Sequence, residues 1–211
     1  GAVVFPGLDL FLPFLAAVLL LELTPGPNMG YLAIVATRYG RRAGLTTILG
    51  VTAGLTVYML AAVFGLTAIV LRIEWLYSLL RWAGVAYLLW LALDVWRSPE
   101  GDVAGIDEAP SAQRFMVRGL LANLLNPKAA VFYITLLPAF TDPARPFAPQ
   151  ALALGLTHVA VSVVIHTTIV LLTWRAASLV MPDSGRRRGL RAVFALMLAA
   201  IALWMAWETR R

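Results

Sequence analysis

LFLPFLAAVLLLELTPGPNMGYLAIVA, residues 10–36, is apolar enough to cross a bilayer and is interrupted in its middle. A spanning helix needs about 20 predominantly apolar residues. The interruption is Leu23-Thr24-Pro25-Gly26-Pro27-Asn28. Proline lacks an N–H and its ring collides with the preceding turn, so a helix stops or kinks there. Thr24 precedes a proline and is biased away from helical dihedrals. It also suits an N-cap with proline at the first helical position. The stretch reads as one half-helix ending and a second beginning at membrane depth.

Working outward, the other apolar runs are Ala43–Leu71, Trp75–Trp96, Phe115–Phe140, Ala151–Trp174 and a short Ala192–Trp207. Trp204 and Trp207 suit an interfacial anchor for the last. The second run has no charge, whereas the third contains Arg81 and Asp94. The fold class expected is an all-α integral membrane protein of about six transmembrane helices. A hydrophilic linker, about 97–114, carries Pro99, Glu100, Asp102, Asp107, Glu108 and Pro110. It divides a single transmembrane domain, 1–211, into repeat one (about 10–96) and repeat two (about 115–207).

The first run of the second half is also broken, at Leu125-Asn126-Pro127-Lys128. Asn126 again suits an N-cap with Pro127 following. Three spans per half force opposite orientations, so two inverted three-helix repeats with broken first helices are expected. Overlaying the halves aligns Pro25 with Pro127 and Tyr31 with Tyr133, and little else.

Composition sets the class. The chain is 61% hydrophobic and 13% charged, against about half and about a quarter in soluble domains. Cysteine is absent, which excludes disulfides, thiol redox chemistry and Cys-ligated metals. The net charge of +6 sits in short loops, not in one basic stripe, so nucleic acid is not an expected partner. Arg38, Arg41 and Arg42, then Arg97, Arg114 and Arg118, then Arg175, Arg186, Arg187, Arg188 and Arg191 fall on one side. Arg72, Arg81, Arg145, Arg210 and Arg211 fall on the other, giving eleven against five. The richer side is expected to be cytoplasmic, with both termini outside. Arg186-Arg187-Arg188 also suits anionic membrane lipid. No positive residue precedes the first apolar run, so no signal peptide is expected.

Unpaired backbone groups in hydrocarbon are costly and persist only where they line a cavity or find partners. Two interrupted spans at matching places in two halves point to a transporter's binding site. The plainer alternative is a pair of proline kinks that only shape packing. The expected binding residues are Thr24, Pro25, Gly26, Pro27 and Asn28 in one half and Asn126, Pro127 and Lys128 in the other.

Ionisable groups at membrane depth are functional candidates. Glu22 lies two residues before Thr24, and Lys128 is the chain's one lysine. Either they serve a solute, or they form a structural ion pair between the halves. His158 and His166 lie eight residues apart, loosely on one helix face. A proton relay and packed histidines are both open readings, but the spacing is not a metal motif, so no metal or cofactor is expected. Gly50 and Gly54 permit close helix approach, within the fold or in a homodimer. Neither His-Glu-x-x-His nor Gly-x-Ser-x-Gly occurs, which argues against an enzyme.

Pro25-Gly26-Pro27-Asn28 resembles the signature of the lysine-exporter (LysE-type) superfamily, which includes homoserine–threonine (RhtB-type) exporters. Gly40, Arg42-Ala43-Gly44-Leu45, Gly50 and Gly54 agree with it. Gly84-Val85-Ala86-Tyr87-Leu88-Leu89-Trp90-Leu91 resembles the third-span motif, and Asn123 to Phe132 the fourth. Ala92 and Ala139 depart from it, where Gly and Gln are usual. The resemblance implies efflux of amino acids across the bacterial inner membrane, driven by the proton gradient. An inorganic-ion exporter is the alternative within transport. For an amino acid, N–H groups near Asn28 and Met29, with Lys128, are expected to hold the carboxylate. Carbonyls near Leu21–Leu23 and Leu124–Leu125 are expected to hold the ammonium. Glu22 is the first choice for proton coupling, with His158 and His166 next.

Overall fold

The computed structural model describes residues 6–97, 111–180 and 184–208, and every regular element among them is helical. The expectations for residues 98–110, for Arg210 and Arg211, and for the side chains of Asp94, Arg186, Arg187 and Arg188 lie outside the described residues.

The first run forms α1 (Leu8–Leu23) and α2 (Pro27–Tyr39), bent by 50° at the break. Gly40, at φ 90°, turns the chain into α3 (Arg41–Val63). Only glycine takes this left-handed conformation without strain. The uncharged run Ala43–Leu71 is not one helix. It breaks at Phe64-Gly65-Leu66, with Gly65 at φ 74°, and resumes as the short α4 (Thr67–Arg72). Hydropathy does not register this turn, because the residues on both sides of it are apolar.

α5 (Glu74–Arg97) completes the first half. Arg81, the charge inside it, donates to the Ala206 carbonyl and lies 4.6 Å from the Trp82 ring centroid. It therefore ties α5 to α10 (Ser184–Glu208).

The second half opens with α6 (Ala112–Leu124), capped by the Ser111 hydroxyl. After the break come α7 (Pro127–Val131), a π-helical turn over Phe132–Leu136, and α8 (Leu137–Ala139). Pro138 accounts for the π turn. It removes the donor that would bond the Ile134 carbonyl, and its ring crowds that carbonyl, so the helix widens. The second break bends its run by 54°. α9 (Phe147–Val180) is the longest element.

α3 packs against α2, α6 and α9, and so sits between the halves. Its glycines make that approach possible. A Cβ on Gly50 would lie 2.0 Å from the Met116 carbonyl oxygen, and one on Gly119 2.3 Å from the Thr47 carbonyl oxygen. Gly54 meets Asn123 in the same crossing. The Gly50–Gly54 pair therefore serves a contact within the chain.

The surface is inverted relative to a water-soluble protein. Leu20 is 71% exposed, Leu172 60% and Leu203 63%, while Asn123, His158 and Ser162 are buried. Exposed apolar side chains and interior polar ones suit hydrocarbon as the surrounding medium. The chain is a membrane protein. By length and apolar composition, α3 and α9 can each cross a bilayer, and each bent pair adds one more, giving two to four spans among the described residues. α10 contributes a shorter apolar stretch, Ala195–Trp204.

Candidate functional site

The two breaks face one cleft. From the first half it is lined by Glu22, Thr24, Gly26, Pro27, Asn28 and Met29. From the second half come Asn126 and Lys128 at the break and His158 and His166 on α9. Nine of the expected residues therefore meet in one place. Pro25 stands on the exposed side of the first break, and Pro127 occupies the first position of α7. The cleft is partly open and offers a volume of about 30 Å³ to water-sized molecules.

The breaks are built differently. Thr24 does not cap α2; it ends α1, and its hydroxyl donates back to the Leu20 carbonyl at 2.7 Å. Gly26 is the N-cap and offers no side-chain oxygen. The first N–H groups of a helix have no intrahelical acceptor. Asn28 and Met29 line the cleft, so the uncapped start of α2 borders it. At the second break the expectation holds: Asn126 is the N-cap, and its Oδ1 accepts from the Lys128 N–H at 3.0 Å. One helix start is open and the other is closed by its own side chain.

Lys128 does not form an ion pair with Glu22 within 4 Å among the described residues. Its Nζ donates to the Leu21 carbonyl at 2.8 Å and the Thr24 carbonyl at 3.3 Å. The carbonyls expected to receive a solute's ammonium at the end of α1 are thus held by the protein's own ammonium. The Leu124 carbonyl is likewise engaged, by the Tyr58 hydroxyl at 2.7 Å. Gly26 is extended at φ −150°, which any residue can adopt. What its lack of a side chain provides is space: a Cβ there would come 3.3 Å from Lys128 Nζ.

Glu22 turns to α9. Its Oε1 lies 2.8 Å from His158 Nε2, and its Oε2 lies 3.6 Å from His166 Nε2. The other nitrogen of His158 lies 2.9 Å from the Tyr133 hydroxyl. Phe132 stacks on the His158 ring at 4.1 Å. A neutral imidazole has one donor and one acceptor nitrogen. With Nε2–H donating to Glu22, Nδ1 accepts from the Tyr133 hydroxyl, and all three groups are satisfied. Ser162, between the histidines, lies 3.2 Å from His166 Nδ1. The π turn presents Phe132 and Tyr133 to this network. No group of three His, Cys, Asp or Glu among the described residues could hold a metal ion.

Asn123, Tyr133 and Ser162 were not among the expected site residues. Ser162 had a usable signal, since His158, Ser162 and His166 recur every four residues and share a helix face. Asn123 opens the fourth-span motif and Tyr133 aligns with Tyr31 across the halves, but neither position by itself points to a cleft. Asn123 Oδ1 accepts from Asn28 Nδ2 at 2.8 Å, bridging the halves.

Residues 19–209 match the LysE type translocator family. A homoserine/homoserine lactone efflux protein of Salmonella typhimurium is 32% identical over 166 residues, covering 78% of this chain and 81% of the relative. A membrane protein of Vibrio cholerae is 31% identical over 159 residues, 75% of this chain and 78% of its own. A threonine efflux protein of Escherichia coli is 30% identical over 131 residues, 60% and 64% of the two chains. No solved structure matches the chain.

Proposed function

Since the chain belongs to the LysE type translocator family, whose members are transporters and not enzymes, we propose that it is a secondary active exporter of amino acids or close analogues, coupled to the proton gradient. The observation that carries this reading is the convergence of both helix breaks on one polar cleft. The efflux activities named for its Salmonella and Escherichia relatives support an amino-acid cargo.

The carboxylate of the substrate docks on the open start of α2, at the N–H groups of Asn28 and Met29. A helix N-terminus favours an anion. The ammonium takes the Leu21 and Thr24 carbonyls, displacing Lys128, which then turns to the carboxylate. Lys128 thus stands in for the substrate's cation while the site is empty. Glu22 carries the coupled proton, and His158 and Tyr133 provide its hydrogen-bonded route. Opening of the cleft follows from rocking of one half against the other, the motion typical of repeat-built transporters.

The remaining architecture is proposed on the same basis. The bent pairs α1–α2 and α6–α8, with α3, α5, α9 and α10, make six spans in two inverted repeats. The Arg-rich loops face the cytoplasm and both termini face outward, in a bacterial inner membrane. The test is flux from proteoliposomes loaded with a panel of labelled amino acids, with and without a pH gradient. Gradient-stimulated efflux of at least one is expected; no movement of any of them overturns the reading.

A further inference from the structure

The two halves meet along two seams, one on each side of the cleft. In the first seam, residues after the first break meet residues before the second. Asn28 Nδ2 donates to Asn123 Oδ1 at 2.8 Å. The Arg118 guanidinium donates to the Tyr31 hydroxyl. The Tyr39 and Phe115 rings meet edge-on, with centroids 5.3 Å apart. These contacts run in that order along α2 and α6, from the cleft toward Gly40 and Ser111, the ends next to the Arg-rich loops. In the second seam, a residue before the first break meets residues after the second. Phe14 on α1 packs against Phe132, at 6.0 Å between ring centroids, and against Phe140, at 5.6 Å.

The seams differ in chemistry. Around Phe14 the wall is apolar and closely packed, with Val18, Phe132 and Leu137 all buried. The α2–α6 seam is mostly polar. Asn28 Oδ1 and Asn123 Nδ2 are buried with no hydrogen-bond partner among the described residues, and such a pair of atoms calls for water. Arg118 is half-buried, and its guanidinium also lies 5.6 Å from the ring centroid of Trp90 on α5. When a polar seam parts, water takes over the released donors and acceptors, so little is lost. When an aromatic seal parts, apolar rings meet water, which the hydrophobic effect opposes. We propose that the α2–α6 seam is the gate between the cleft and the Arg-rich side, latched by Arg118 on the Tyr31 hydroxyl, and that the Phe14–Phe132–Phe140 contact is the seal on the opposite side. This rests on the exporter reading above and assigns its two barriers. The latch joins α2 of the first half to α6 of the second, so rocking of the halves strains it directly.

The test reads the cleft without any solute. The chain has no cysteine, so Leu55→Cys, in the cleft wall on α3, reports the entry of an impermeant thiol reagent in sealed vesicles of either orientation. Ser111→Cys, at the outer end of the seam, marks the seam's side whichever face of the membrane that is. Tyr31→Phe removes the acceptor of a hydrogen bond from a charged group. It is expected to speed labelling of Leu55→Cys about tenfold from the Ser111 side and to leave the opposite side unchanged. Phe14→Ala is expected to speed labelling from the opposite side alone. Should Tyr31→Phe not fold, Tyr39→Cys with Phe115→Cys, joined by a short cleavable bifunctional thiol reagent, is expected to stop amino-acid flux until the link is cleaved. Flux that continues with the seam cross-linked overturns the gate and leaves the exporter reading standing. So does Leu55→Cys labelling in Tyr31→Phe that is no faster from the Ser111 side, or that speeds up only from the other. Failure of the unlinked protein to move any amino acid overturns the exporter reading instead, and the labelling rates still decide the gate.

Discussion

Glu22 and His158, 136 residues apart, share a 2.8 Å hydrogen bond that joins the end of α1 to α9. The bond places the carboxylate of the first break in a network with Tyr133 and His166 and leaves Lys128 free to engage the α1 carbonyls. Charge-assisted hydrogen bonds of this kind are roughly twice as strong as neutral ones. The pair therefore links the halves.

Glu22→Gln keeps the shape and removes the proton-binding carboxylate. Substrate exchange is expected to persist, while accumulation driven by a pH gradient is lost. Counterflow and gradient-driven uptake, measured in the same vesicles, separate the two. Concentrative transport by the variant moves the coupling role to His158 or His166. Tyr133→Phe, which breaks the other end of the same chain, is expected to slow gradient-driven transport more than exchange.

Lys128→Met removes the ammonium that turns to the substrate's carboxylate. A hydrogen bond to a charged group contributes about 1.5–3 kcal/mol, so apparent substrate affinity is expected to fall about tenfold or more. Equilibrium binding in detergent reads it. Gly26→Leu pushes into the same ammonium and is expected to abolish transport with the protein still inserted; normal flux would make the break a packing kink. A double variant, Glu22→Gln with Lys128→Met, that transports normally would make both groups structural.

Gly119→Ala and Gly50→Ala force a methyl into backbone across the α3–α6 crossing. Overpacking of this kind typically costs about 1–3 kcal/mol, and both should lower Tm in detergent. Gly189→Ala is the control, because among the described residues its methyl meets no atom within 4 Å. An unchanged Tm in Gly119→Ala would mean that the helices do not cross this closely.

The chain has no cysteine, so a single introduced one reports its own side of the membrane. Ser111→Cys, at the start of α6 and exposed, is expected to resist an impermeant thiol reagent in intact cells and to react after permeabilisation. Labelling in intact cells would reverse the proposed orientation.

Much of this protein was legible along the chain because the governing rules are local. A run of apolar residues makes a helix that prefers lipid, and Pro25, Pro27 and Pro127 end helices through a missing N–H and a steric clash that act within one turn. The motifs around those prolines carried the family. Asn126 was readable as a cap for the same reason, since its partner is two residues away. Folding in three dimensions decided the rest. Thr24 yielded the cap to Gly26 because its hydroxyl found the Leu20 carbonyl one turn back. The apolar run beyond Val63 turned at Gly65, where hydropathy is blind. Glu22 chose His158, Lys128 chose the α1 carbonyls, and Asn123 reached Asn28, across separations of 136, 107 and 95 residues. Helices that are apolar on every side carry little periodic signal for which face turns inward. Their rotation is set by packing, here by Gly50, Gly54 and Gly119 letting α3 and α6 meet backbone to backbone, and that rotation selects which polar side chains share the cleft.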